Sequence, residues 1–240
     1  MIAVNALANA LPINGKTTGE ISDGFDIAFT PAGYVFAIWG LIYLSVTLFT
    51  IVQALPSRER SPVIASIRPW YVLNAVANAS WILAWHHELF ALTLVVMLVI
   101  LGSLVGIYAK VASISFEDPV SFATVRAPFS LYLAWICIAT IANTTVVLWT
   151  VGATDVLSDP TYTLLIVAAA TGICAAVSLR TADPVFASVF VWAIVGIAFE
   201  NSAERTLMIG ALACAGVCAL VAAMSTVAAI RRAGAGRGSS

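Results

Sequence analysis

Long apolar runs, each broken by a short polar interval, recur along almost the whole chain. They occupy about 31–55, 70–87, 89–111, 128–150, 161–180, 184–200 and 206–230, and roughly 20 residues of helix are what a ~30 Å hydrocarbon core requires. The alternating ten-residue pattern of barrel strands does not occur. Because a lipid-facing backbone must satisfy its own N–H and C=O groups, the runs predict helices. Pro31, Pro69 and Pro160 stand where first turns are expected, and Pro184 after Asp183 restarts the chain between two closely spaced helices. Short connections predict that neighbours in sequence are antiparallel neighbours in space. Residues 2–11, IAVNALANAL, are too short to span and lack a basic lead-in; they predict a short N-terminal helix with Asn5 and Asn9 on one face, as if a first helix began upstream. Residues 12–30, with Pro12, Gly15, Gly19, Glu20, Asp23 and Asp26, predict a polar loop.

Inside the apolar runs the polar positions are few and ordered. In WYVLNAVANASWILAWHHE (70–88), Asn74, Asn78, Trp81 and Trp85 fall on one stripe at ~100° per residue. An amide without a partner in hydrocarbon is costly, so this stripe turns towards other helices or a cavity. Two outcomes fit: the amides bond across a helix interface while the indoles fill a core, or the stripe is one wall of an aromatic pocket with amide handles. Two further stripes share this character. Phe36, Trp39 and Tyr43 form one; Tyr132, Trp135, Ala139 and Asn143 form the other, with Ala139 leaving a gap between an indole and an amide. Convergence of the three would give a mostly apolar small-molecule site. Trp70, Trp149 and Tyr162 lie at predicted ends and read as interfacial belt residues, whereas Trp192 sits mid-run without a polar companion and reads as core.

Composition agrees with the pattern. The 240 residues are 61% hydrophobic and 10% charged, too little charge to cover a soluble domain. The expectation is an all-α integral membrane protein, a bundle of about seven spanning helices plus the short N-terminal helix. Charge adds orientation. With the first long helix running inward, Arg58, Arg60, Arg68, Lys110, Arg126, Arg180, Arg231, Arg232 and Arg237 lie on the cytoplasmic side, and only Lys16 and Arg205 fall outside. The expected location is the cell membrane, with a cytoplasmic C-terminus that ends in a flexible tail over 233–240. No basic patch suits nucleic acid. Cys137, Cys174, Cys214 and Cys218 lie within apolar runs at spacings that suit neither a disulfide framework nor zinc, and read as packing residues. Gly102 and Gly106, and the ridge of Gly210, Cys214 and Cys218, allow close helix approach, within one chain or in a homodimer.

The stripes carry a family resemblance. YVFAIWGLIY (34–43), LNAVANASW (73–81) and YLAWICIATIAN (132–143) resemble, in order and spacing, three motifs of the translocator-protein or tryptophan-rich sensory protein (TspO/MBR) family. Asn78, Trp81, Tyr132, Trp135, Ala139 and Asn143 stand in matching places. The likeness covers residues ~31–150, which it marks as a four-span core preceded by 1–30 and followed by three additional spans in 151–232. There are departures: the first motif is one residue shorter between its aromatics and lacks a proline, Leu131 replaces the proline before Tyr132, the N-terminal helix is short, and the common family form has five helices. The resemblance implies an α-helical membrane protein that binds a hydrophobic planar molecule and leaves sensing, transport and ligand turnover open; the expectation is a binding protein of sensor or translocator type and not an enzyme. Sterols and porphyrins, haem-type ones included, are the ligand classes it implies, and no cofactor is required. Phe36, Trp39, Tyr43, Asn74, Asn78, Trp81, Trp85, Tyr132, Trp135 and Asn143 are the expected contacts.

Other function classes are weaker. A retinal Schiff base needs a lysine within a helix, and Lys16 and Lys110 lie in a loop and at a helix end. His86, His87 and Glu88 cluster at one helix end, but no other histidine exists to complete a metal set, and adjacent residues point to different faces. They read as a polar cap, from which a haem-type ligand is reachable only from outside. Glu200, Asn201 and Glu204 resemble the acidic mouth of a path, yet no internal repeat or buried charge accompanies them. Facilitated transport of an apolar solute, which needs no charge, is the second function class.

Overall fold

The computed structural model describes residues 1, 4–5, 13–55, 61–114 and 116–237. Most of the predicted N-terminal helix, Asn9 included, lies outside these residues, as do Arg58 and Arg60. Seven long helices, numbered here in chain order, form an all-α bundle: α1 (Ile38–Ala54), α2 (Pro62–His86), α3 (Phe90–Val111), α4 (Ala127–Thr150), α5 (Pro160–Thr181), α6 (Pro184–Glu200) and α7 (Arg205–Arg237). Among the described residues, five stretches are long and apolar enough to cross a membrane: Gly33–Ala54, Phe90–Val111, Pro119–Thr150, Pro160–Thr181 and Arg205–Gly234. The seven expected runs thus all become helix, but α2, diluted by its amides and histidines, and α6, with 17 residues, fall short of that combined criterion.

Local chemistry moves several boundaries. Ser61 caps α2, its Oγ accepting from the Ile64 amide, and Pro62 occupies the first turn, so the helix starts well before position 70 and Pro69 lies in its interior rather than its first turn. The first span opens with a 3-10 turn, Gly33–Ala37. Before α4 the chain forms a short turn capped by Asp118 and then a π-helical stretch, Phe122–Arg126. The predicted polar loop contains a helical turn, Thr18–Ser22, closed by a reciprocal cap: the Glu20 amide donates to Thr17 Oγ1 at 3.3 Å and the Thr17 amide donates to Glu20 Oε2 at 2.7 Å. Helix α7 continues to Arg237, into the segment expected as tail.

Helix α4 is the centre. In its span 56% of the most apolar window is buried, against 28–33% in the other four, and it packs on α1, α3 and α6. Every residue from Pro128 to Ile136 is buried, so this half of α4 has no lipid face. On one flank α2 packs on α3; on the other α5, α6 and α7 pack together. Two predicted ridges act within the chain: a Cβ on Gly106 would meet the Trp70 ring at 2.9–3.1 Å, and one on Gly210 would meet Leu164. Trp70, expected as a free belt residue, therefore lies over Gly106. Trp192, expected as core, is 41% exposed and sits edge-on to Tyr34 with ring centroids 5.3 Å apart.

Arg126, one of the basic residues expected on the cytoplasmic side, is buried. Its guanidinium donates to the carbonyls of Ile114 (2.7 Å) and Thr181 (2.8 Å), and stands 3.6 Å from Asp183 Oδ2. That same oxygen accepts from Tyr108 OH and Ser130 Oγ, both at 2.6 Å, while Asp183 Oδ1 caps α6 through the Phe186 amide. One carboxylate thereby joins α3, α4 and the α5–α6 corner, where Ala182 takes the left-handed φ of 51°. Removing one partner of a buried ion pair strands the other charge, at a cost of about 3 kcal/mol. Asp183→Ala should accordingly lower the thermal unfolding midpoint in detergent sharply, and Asp183→Asn, which keeps a capping oxygen, should lower it less.

Candidate functional site

The α2 stripe divides according to what it faces. Asn74, nearest the middle, donates to Ser103 Oγ at 3.0 Å and lies near the Ile100 carbonyl at 3.4 Å, so it bonds α2 to α3. One turn on, Asn78 Nδ2 donates to Tyr132 OH at 2.7 Å, and Asn5 Nδ2 donates to Asn78 Oδ1 at 2.7 Å. These two amides bond across helix interfaces and line neither hollow described below. Trp81 Nε1 donates to Asn143 Oδ1 at 3.3 Å, and Asn143 Nδ2 donates to Thr93 Oγ1 at 2.8 Å, which links α2, α4 and α3. Trp81 and Trp85 stack at 5.3 Å with 20° between their planes.

Around these indoles is an apolar slot. Its walls include Phe36 and Trp39 from the first span, Trp81 and Trp85 from α2, and Trp135 and Asn143 from α4. Trp39 and Phe36 both meet the Trp135 ring edge-on, at 6.0 and 6.1 Å. Ala139 and Ala142 supply the gap, since neither fills the space between Trp135 and Asn143. The slot is narrow, with about 60 Å³ of free space. A second hollow of about 400 Å³ shares Thr18, Phe36, Trp39 and Trp81 with it, and adds Tyr43, Asn5 and Asp23. Tyr43 stacks on Trp39 at 5.5 Å, and Tyr132, wholly buried beneath, meets Trp39 at 6.1 Å. Of the ten expected contacts, the structure brings seven to one or the other hollow, places Tyr132 against Trp39 but in neither lining, and assigns Asn74 and Asn78 to helix packing.

The roof of the slot was not read from the sequence. Thr18 and Ser22 of the capped turn, with Thr30 and Pro31, close it on the loop side. Trp85 Nε1 donates to the Thr18 carbonyl at 3.3 Å, Asn14 Nδ2 donates to the His86 carbonyl at 3.1 Å, and Lys16 pairs with Glu88 at 2.6 Å, so the loop is tied along the end of α2. The exposed pair contributes little by itself. The signal was present as Thr17-x-x-Glu20, the spacing of a capping box. Hydrogen bonds from the Thr17 amide and then its hydroxyl hold the Glu20 carboxyl below the usual carboxylate range, so this cap persists until pH falls beneath that range.

Two polar groups on the slot are unpartnered among the described residues: the Trp135 indole N–H, on a side chain 2% exposed, and Thr18 Oγ1. Both are enclosed and lack the bond that would offset their burial. His86 is fully buried, its Nδ1 2.8 Å from the Ile82 carbonyl, and His87 is exposed, so the adjacent imidazoles do diverge. Among the described residues no group of three or more His, Cys, Asp or Glu side chains could hold a metal ion.

A many-helix membrane bundle with an aromatic slot between spans is the class these observations define. The model of the TSPO-like protein family matches residues 1–224, and the chain belongs to that family. The match extends past residue 150, so it takes in the C-terminal helices as well as the stretch whose motifs carried the resemblance. No curated protein and no solved structure matches the chain.

Asn143 is the hinge of the site's polar wiring. Asn143→Leu strands the buried Trp81 N–H, and the loss of a bond of this kind inside a membrane protein is worth about 1 kcal/mol. The expected result is a modest fall in the unfolding midpoint together with a shift in Trp emission as the Trp81–Trp85 stack relaxes.

Proposed function

We propose that this membrane-embedded TspO-type protein binds a planar, predominantly apolar molecule bearing a hydrogen-bond acceptor, of porphyrin or sterol class, as a sensor or translocator and not as an enzyme. One observation carries the reading: indoles from three separate helices line a single slot, and one of them, Trp135, keeps an N–H without a partner. A ring edge or side group suits the narrow slot and the adjoining hollow takes the body, which lies within the ~300–1,000 Å³ of small-molecule pockets. No charged side chain lines the slot, so binding there draws on apolar burial and ring contacts.

The reading also places the protein in the cell membrane with a cytoplasmic C-terminus. Support comes from the way Arg126 joins the end of α3 to the α5–α6 corner, while Arg232 reaches the Arg180 carbonyl at 3.5 Å, so these basic helix ends gather on one side. A C-terminal tag should accordingly react with impermeant reagents only in inverted vesicles.

Titration of the purified protein with a porphyrin should quench Trp fluorescence saturably. Trp135→Phe, which keeps an aromatic ring but loses the N–H, should weaken affinity about three- to tenfold, in line with ~0.5–1.5 kcal/mol for one net hydrogen bond. Trp81→Ala and Trp135→Ala should weaken it further. Unchanged affinity in both alanine variants would remove the slot as the binding site, and liposome uptake of an apolar solute that Trp135→Ala abolishes would assign transport instead.

A further inference from the structure

The slot's outer wall is residues 28–36, irregular as far as Ala32 and a 3-10 turn from Gly33, which contribute Thr30, Pro31 and Phe36. Irregular backbone beside an apolar core leaves N–H and C=O groups that need partners from elsewhere in the protein. For this segment most of those partners come from α6, which lines the slot with no residue of its own. Asn201 Nδ2 donates to the Ala28 carbonyl at 2.8 Å, the Ala32 amide donates to the Gly196 carbonyl at 3.2 Å, and Trp192 Nε1 donates to the Val35 carbonyl at 3.1 Å. Successive turns of one helix face thus hold three points along the wall.

Contact is tightest at Gly196. A Cβ there would overlap Val35 Cγ2 and press on Pro31 Cβ at 3.4 Å, and Val35 is fully buried with nowhere to yield. Gly196 is therefore required for approach and not for an unusual backbone angle. At its opposite end α6 is anchored by Asp183, which Tyr108 and Ser130 hold. The helix is fixed at one end to the core and at the other to the wall.

We infer that α6 is the positioning element of the site, with Gly196, Trp192 and Asn201 holding the Thr30–Phe36 wall at the distance from Trp135 that sets the slot's width. The consequence for ligands rests on the slot being a binding site; the placement of the wall does not. It gives the C-terminal helices a part in a pocket whose lining comes from residues 18–146.

Hydrogen exchange of a peptide covering 28–36, read by mass spectrometry on the full chain in detergent, tests the placement without any ligand. Gly196→Ala should speed exchange of that peptide about tenfold, and adding Val35→Ala, which removes the colliding methyl, should restore it. Trp192→Phe keeps the ring against Tyr34 but deletes the bond to Val35, and should give about a threefold rise. Porphyrin affinity should fall and recover in step with exchange. Exchange unchanged in both Gly196→Ala and Trp192→Phe overturns the inference, as does an effect of Gly196→Ala that Val35→Ala fails to reverse. If Gly196→Ala does not fold, Trp192→Phe and Asn201→Ala decide by the same readout. Faster exchange with unaltered affinity in a protein that binds porphyrin overturns the claim on slot width. A wild-type protein that binds no porphyrin refutes the ligand reading, and the exchange result then judges the placement by itself.

Discussion

A side-chain amide or indole N–H inside an apolar bundle is costly without a partner, and the bonds that most of these groups make to other helices arrange this molecule. Asn74 finds α3, Asn78 finds the Tyr132 hydroxyl on α4, and Trp81 finds Asn143, which passes the bond on to Thr93. Each such bond is worth little net because the separated helices would also find partners. Their effect is directional. With no difference in apolarity between a leucine on lipid and a leucine on protein, these bonds fix which face of α2 turns inward and at what register it meets α4.

Helix α4 receives most of these bonds and is buried over half its length, so it forms a fixed backboard. Against it the aromatic side chains of the first span and α2 cannot all close-pack. Where α4 carries Trp135 and Asn143 the space is filled; where it carries Ala139 and Ala142 a slot is left. The cavity is thus a consequence of small residues placed between large ones on the most buried of the spans. Its orphan Trp135 N–H stands out because the surrounding indoles Trp81 and Trp85 have protein acceptors.

The opposite end of the bundle is governed by a single carboxylate. Asp183 accepts from Tyr108 and Ser130, caps α6 and faces Arg126, while Arg126 donates to the carbonyls of Ile114, just past α3, and Thr181, the last residue of α5. A buried charge pair is poor glue compared with apolar packing, yet it tolerates few alternative geometries. It sets where α6 starts, and α6 in turn meets the irregular wall through Trp192, Gly196 and Asn201.

The apolar periodicity and polar stripes by themselves determined the helical class, the positions of the seven long helices and the inward turn of Trp39, Trp81 and Trp135, because hydrocarbon penalises any other placement of those groups. They also carried the family resemblance, which the match over residues 1–224 turns into membership. Tertiary structure alone decided that Asn74 and Asn78 bond between helices while Asn143 reaches the slot, since a stripe gives a direction and not the depth at which a neighbour arrives. It decided likewise that Arg126 is buried, that Trp192 lies at the surface gripping Val35, and that a capped turn roofs the site. Those outcomes depend on contacts between residues far apart in the chain, such as Trp192 with Val35 and Arg126 with Thr181, and no local pattern encodes which distant backbone group will be left needing a partner.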